Sequence, residues 1–107
     1  MELAKKKCKP CEGGIPALTQ NEVEEYKNNI RKEWQIIKNK KIINEYKFVN
    51  FGHTMDFVNK VAKIADEEGH HPVMHVYYAK LIIELWTHAI GGLSENDFIL
   101  AAKIDEL

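Results

Sequence analysis

A chain of 107 residues is long enough for one domain with a single buried core. Its 45% hydrophobic and 29% charged residues are those of an ordinary globular protein, and a formal charge of -1 excludes an electrostatic nucleic-acid binder. No apolar run approaches the roughly 20 residues of a membrane span and no hydrophobic signal region opens the chain, so no membrane contact and a cytoplasmic location are expected.

Residues 1–18 are rich in Lys, Pro and Gly and read as an irregular arm ahead of one domain over 19–107. Lys5, Lys6, Lys7 and Lys9 make this arm basic, the usual pattern of a solvated tail. It also holds Cys8 and Cys11, a lone Cys-x-x-Cys. Structural zinc takes four ligands and there is no second cysteine pair, while a redox motif would sit between a strand and a helix. Lys9-Pro10 and Gly13-Gly14 read as loop, so inert thiols are the preferred reading.

Thr19-Gln20-Asn21-Glu22 is a capping box and predicts a helix start, with Val23, Tyr26 and Ile30 on one apolar face. Trp34 to Ile37 and Ile42 to Phe48 have strand character about a polar Lys38–Lys41 turn and predict a hairpin. Asn50 is placed to cap the longest helix, whose stripe is Phe51, Met55, Val58, Ala62 and Ala65, with Val61 and Ile64 beside it. Gly69 should end that helix and Pro72 stop it from resuming.

Two more strands follow, about Val73 to Tyr78 and Leu81 to Thr87. In the second, Leu81, Ile83, Leu85 and Thr87 share one face and Ile82, Glu84, Trp86 and His88 the other. Gly91-Gly92 breaks the strand, and Ser94 opens a last helix with Phe98, Ile99, Ala102 and Leu107 as core candidates. The class is α+β: a four-stranded, largely antiparallel sheet with helices packed on one face, in the order α-β-β-α-β-β-α. An uncovered sheet face would expose Ile82 and Trp86 and suggests an oligomer contact.

Histidine titrates nearest neutrality, which directs attention to the pair His70-His71 before Pro72 and to His88. Each alone has a bland reading, an exposed loop imidazole or a strand-end ring bonded to nearby backbone. Together they suggest a proton-handling pocket. Zinc held by three histidines is chemically sufficient, but adjacent residues in an extended segment seldom aim both rings at one ion, and no His-x-His or His-x3-His spacing occurs. Acid–base chemistry needs only rings within reach of different substrate atoms. His53 and His75 fall outside the cluster.

The ordered set Asp66-Glu67-Glu68-Gly69-His70-His71-Pro72, Tyr78-x-Lys80 and Leu85-Trp86-Thr87-His88-Ala89-Ile90-Gly91-Gly92-Leu93-Ser94-Glu95-Asn96-Asp97 resembles the pterin-4a-carbinolamine dehydratase family. Phe48-x-x-Phe51 and Phe57-Val58-x-x-Val61-Ala62 fit its central helix, and the tail from Asp97 to Ile104, with the Cys-x-x-Cys-x-Gly-Gly arm, resembles its plant and microbial branch. The resemblance spans nearly the whole chain and implies the same element order.

It implies a hydro-lyase that turns 4a-hydroxytetrahydropterin into quinonoid dihydropterin in tetrahydropterin recycling, with no cofactor and no metal. By the family pattern His70 and His88 are the acid–base pair and His71 binds the pterin. Asp97 matches a carboxylate near the site, yet three residues past Ser94 it also sits where a helix-capping acid belongs. Asp66 stands where relatives often have Glu, either supporting the site or as helix surface. Met74 stands where many relatives have an aromatic ring, offering polarizable apolar contact to the pterin instead.

The partners implied are a small-molecule pterin and further copies of the chain, as dimer or tetramer. Two alternatives stand beside this reading: a non-enzymatic interaction protein that stabilises a transcription-factor dimer, and action on another pterin such as a molybdopterin-related compound.

Overall fold

The computed structural model describes residues 2–10 and 15–107. Along them run α1 (Gln20–Lys27), β1 (Gln35–Ile37), β2 (Lys41–Lys47), α2 (Phe51–Glu68), β3 (Val73–Val76), β4 (Lys80–Leu85) and α3 (Glu95–Asp105). Single 3₁₀ turns occupy Leu3–Lys5 and His88–Ile90. The strands form one sheet in the order β1-β2-β4-β3 with every pair antiparallel, so the chain is α+β in the expected element order.

α1 begins where the capping box predicts. The Thr19 hydroxyl accepts the Glu22 N–H at 3.3 Å and the Glu22 carboxylate accepts the Thr19 N–H at 2.9 Å, satisfying two donors that a helix start leaves unpaired. Val23 is buried and the Tyr26 ring stacks on Phe98 of α3 at 5.3 Å, while Ile30 lies past the helix end. The β1–β2 turn puts Lys38 and Asn39 at φ 50° and 59°, the left-handed pair of a type I′ hairpin turn.

The period-2 pattern of β4 is realised. Leu81, Ile83 and Leu85 are fully buried, Ile42 lies opposite Leu85, and these residues meet α2 and α3 in one core. β3 and β4 stop short of the predicted ends, at Val76 and Leu85. The other face is less open than expected: Ile82 and Trp86 are half-buried. Across that face Lys41 Nζ lies 2.5 Å from Glu84 Oε1, His75 pairs with the other oxygen, and Lys41 sits 5.9 Å from the Trp86 ring centre.

Asn50 Oδ1 accepts the His53 N–H at 2.9 Å and starts α2; Gly69, left-handed at φ 65°, ends it. The buried stripe is Thr54, Val58, Val61 and Ala65, rotated from the predicted one, and Phe51 is exposed. Burying Thr54 is tolerated because its hydroxyl is satisfied by the carbonyls of Asn50 and Tyr78, at 3.1 and 3.0 Å. The exposed apolar residues Val49, Phe51, Val76, Tyr77 and Tyr78 lie in or at the edges of the turns joining β2 to α2 and β3 to β4, with Phe51 stacked against Tyr78.

α3 is buried from Asn96 to Ala102 and again at Ile104. Leu107, an expected core residue, instead lies exposed beyond the helix end. The 3₁₀ turn at Leu3–Lys5 packs on α3, where it buries Leu3, and Lys103 Nζ donates to the Ala4 carbonyl at 2.8 Å. Among the described residues no helix is long and apolar enough to cross a membrane.

Candidate active site

The site is assembled from the two ends of helices and the turn after β4. At the end of α2 the left-handed Gly69 reverses the chain, so the His70 N–H reaches back to the Ala65 carbonyl at 3.2 Å. Pro72 then keeps the next step from re-entering helix. The adjacent imidazoles consequently part. His70 turns inward, its side chain 11% exposed, and its Nε2 lies 2.6 Å from Asp97 Oδ1. His71 turns outward and its Nε2 lies 2.9 Å from Asp66 Oδ1, both side chains well exposed.

Asp97 is fully buried in the first turn of α3. Its Oδ2 accepts the Ser94 N–H at 3.0 Å and the Thr87 hydroxyl at 2.9 Å, while Oδ1 faces His70. Ser94 Oγ in turn lies 2.6 Å from Thr87 Oγ1. With the Thr87 proton committed to Asp97, the Ser94 hydroxyl is the donor in that contact. The two sequence readings of Asp97, cap and site carboxylate, therefore coincide in geometry. One oxygen caps α3 and the other orients an imidazole.

His88 lies on the 3₁₀ turn, not at a strand end. The turn is closed by the Thr87–Gly92 bridge and by Gly91 at φ 62°. The His88 ring is exposed and stacks against Trp86 with centroids 4.3 Å apart. His70, His71 and His88 line one cavity of about 330 Å³, together with Thr87, Lys9 and Asn96. That volume is at the small end of ligand cavities, about 300–1,000 Å³. Larger hollows of about 450 and 550 Å³ lie over the open sheet face and beneath the N-terminal segment, and neither is lined by histidine.

Other predicted residues sit elsewhere. Met74 is on the core face of β3 opposite Ile83 and packs against the core, not among the cavity-lining residues. Asp66 is exposed and touches the site only through His71. Asp97 lies behind His70, outside the lining.

Lys9, Asn96 and Thr87 were not among the predicted site residues. The Asn96 amide pairs both ways with the Lys9 backbone, accepting its N–H at 3.0 Å and donating to its carbonyl at 2.6 Å. The Cys8 N–H donates to Glu68 at 2.8 Å, and Lys103 Nζ lies 3.6 Å from the same carboxylate. Burial pushes the Glu68 carboxyl up, but the Cys8 N–H and the ammonium groups of Lys103 and Lys7 outweigh it and hold it below the ordinary value. The Cys8 thiol is pushed up to about 12, by burial first and by the charges of Glu68 and Asp97 next, so it stays protonated at neutral pH. Cys11, and with it the pairing of the Cys-x-x-Cys, lies outside the described residues. Among the described residues no group of three His, Cys, Asp or Glu side chains is disposed to hold a metal ion.

The profile of the family described as pterin 4 alpha carbinolamine dehydratase matches residues 16–107. A Rickettsia canadensis protein is 47% identical over 96% of this chain and 94% of its own length. One from Nitrosomonas eutropha is 50% identical over 99% of this chain and 93% of its own. Both are provisionally named pterin-4-alpha-carbinolamine dehydratase. Among solved structures, a transcriptional coactivator/pterin dehydratase from Brucella melitensis aligns with TM-score 0.78 and 27% identity over 84% of this chain and 96% of that one. A pterin dehydratase-like RuBisCO assembly factor of the alpha-carboxysome shares the fold, with TM-score 0.57 and 22% identity over 72% of this chain and 86% of its own.

Proposed function

We propose an acid–base mechanism for this chain, which belongs to the pterin 4 alpha carbinolamine dehydratase family and is a dehydratase. Its substrate in this reading is 4a-hydroxytetrahydropterin, and its product quinonoid dihydropterin. The 4a-hydroxyl leaves as water once it gains a proton, and the neighbouring ring N–H loses one as the new C=N bond forms. One general acid and one general base supply these transfers, each worth about 10²–10⁴-fold.

The observation that carries the reading is the His70–Asp97 contact of 2.6 Å at the wall of a cavity that His71 and His88 also line. A carboxylate that accepts from Nε2–H leaves Nδ1 as the lone-pair nitrogen, the form a base requires. It also faces the positive charge that develops on the ring when the proton arrives. His70 is thus the base in this reading and His88 the acid. His71, tied only to an exposed carboxylate, orients the pterin. The product then returns to tetrahydropterin by reduction elsewhere.

The test is dehydration of freshly generated 4a-hydroxytetrahydropterin, followed by the absorbance of the quinonoid product. His70→Ala and His88→Ala should each lower kcat by about 10²-fold or more with an unchanged circular dichroism spectrum. Wild-type turnover in both would overturn the assignment. Self-association belongs to the same reading, supported by the exposed Val49, Phe51, Val76, Tyr77 and Tyr78, and is read by sedimentation equilibrium.

A further inference from the structure

A second hollow adjoins the histidine cavity and has no part in the acid–base chemistry. It encloses about 260 Å³ on the open sheet face and is lined by Ile37, Lys38, Lys40, Lys41, Trp86 and Gly91. The two hollows meet across one ring pair. His88 lines the first and Trp86 the second, with their centroids 4.3 Å apart and the rings tilted by 34°. Gly91 of the second hollow closes the same turn that carries His88. A flat heterocycle seated among the histidines therefore lies one ring pair away from the second hollow, along whose Trp86 surface a substituent can extend.

The far end of that surface is basic. Three of the six lining residues are lysines and none is acidic. Lys41 is held by Glu84, but Lys38 and Lys40 carry no ion pair among the described residues. The backbone supplies an independent argument. Lys38 occupies a left-handed position, φ 50°, at the first central residue of its turn, where Gly, Asn or Asp is conformationally cheaper. Turn geometry gives no reason for a lysine there, whereas a charge at the rim of this hollow does.

We infer that the Trp86 hollow is a subsite for an anionic substituent of the substrate. The substituent crosses Trp86 and ends between the ammonium groups of Lys38 and Lys40, and a phosphate ester is the group whose charge two such point charges match. This rests on the histidine cavity being the pterin site. The substrate class is thereby narrowed to reduced pterins with a negatively charged side chain.

Quenching of tryptophan fluorescence by two inert probes tests it: 7,8-dihydroneopterin and its side-chain monophosphate, on the full chain and on the double variant Lys38→Asn with Lys40→Ser. Asn suits the left-handed turn position, so the variant should fold. The expected result is that wild type binds the monophosphate at least about tenfold more tightly than the neutral probe, that salt erodes the preference, and that it falls to near one in the variant. Equal binding of the two probes by wild type, or a preference that survives in the variant, overturns the subsite and leaves the histidine reading standing. Failure of wild type to bind either probe overturns both.

Discussion

His70 Nε2 and Asp97 Oδ1 lie 2.6 Å apart, and this contact ties the end of α2 to the start of α3. The carboxylate that fixes the ring also caps α3 through Ser94 and accepts from Thr87. Asp97→Asn separates the two roles. An amide oxygen can still accept from Ser94 and Thr87, but the amide nitrogen then donates to Nε2 and forces the ring proton onto Nδ1. The fold should survive with a loss of about 1–3 kcal/mol in chemical denaturation. kcat should fall by about 10²–10⁴-fold because the nitrogen proposed as the base then carries the ring proton. Turnover near wild type in a folded Asp97→Asn protein would show that the tautomer is irrelevant.

The outward histidine should behave differently. His71 and Asp66 are both well exposed, and a pair of this kind contributes about 0–1 kcal/mol. Asp66→Asn should leave the melting temperature unchanged. In the proposed reading the ring orients substrate without moving its protons, so His71→Ala should raise KM more than it lowers kcat. Steady-state kinetics with both variants reads the split, and a kcat-only loss in His71→Ala would give it a chemical role instead.

The residues show why some of this could be read from sequence and some could not. Capping at Thr19, Asn50 and Ser94 and the stop at Gly69 are local events, decided within four residues, and each is where the sequence predicts. The alternation of β4 is equally local. The α2 stripe is rotated because a threonine reads as polar until two carbonyls are found to satisfy it, one of them 24 residues away. His70 and Asp97 were both candidates, but their pairing depends on which way the αL turn throws the ring. Lys9 and Asn96 meet across 87 residues through a backbone, a contact without a sequence signature.

That latch has measurable consequences. Asn96→Ala removes both bonds to the Lys9 backbone and should cost about 1–3 kcal/mol, with faster amide exchange at Lys9. Because Lys9 lines the cavity, KM should rise while kcat changes little.

The neighbouring anchor, Cys8 N–H on Glu68, should be pH-dependent. An acid held below its ordinary value stabilises the fold at pH above the unfolded carboxylate range, and the contribution disappears as pH falls through the depressed value. The protection of the Cys8 amide, its exchange rate relative to the unfolded chain at the same pH, should therefore be high at neutral pH and be lost as the pH falls below the ordinary carboxylate range. In Glu68→Gln that acid dependence should vanish, and its persistence would assign the transition to another group.

Two glycines near the site should fail for opposite reasons. Gly69 has φ 65° with nothing within 4 Å of an added Cβ, so Gly69→Ala meets only the backbone cost of the left-handed region, about 1–2 kcal/mol. Gly92 has no such φ, but a Cβ there would come within 2.8 Å of Ala17 Cβ, and the facing segment is pinned by the Leu18 N–H on the Leu93 carbonyl at 2.9 Å. Gly92→Ala should cost about 1–3 kcal/mol by overpacking. The second mutation Ala17→Gly separates the two mechanisms, because it removes the atom that Gly92→Ala strikes and none that Gly69→Ala meets. In a double-mutant cycle Ala17→Gly should recover stability in the Gly92→Ala background and be additive with Gly69→Ala. Additivity in both cycles would mean that the turn bearing His88 shifts freely and does not press on residues 16–18, and that the cavity wall it forms is softer than this packing implies.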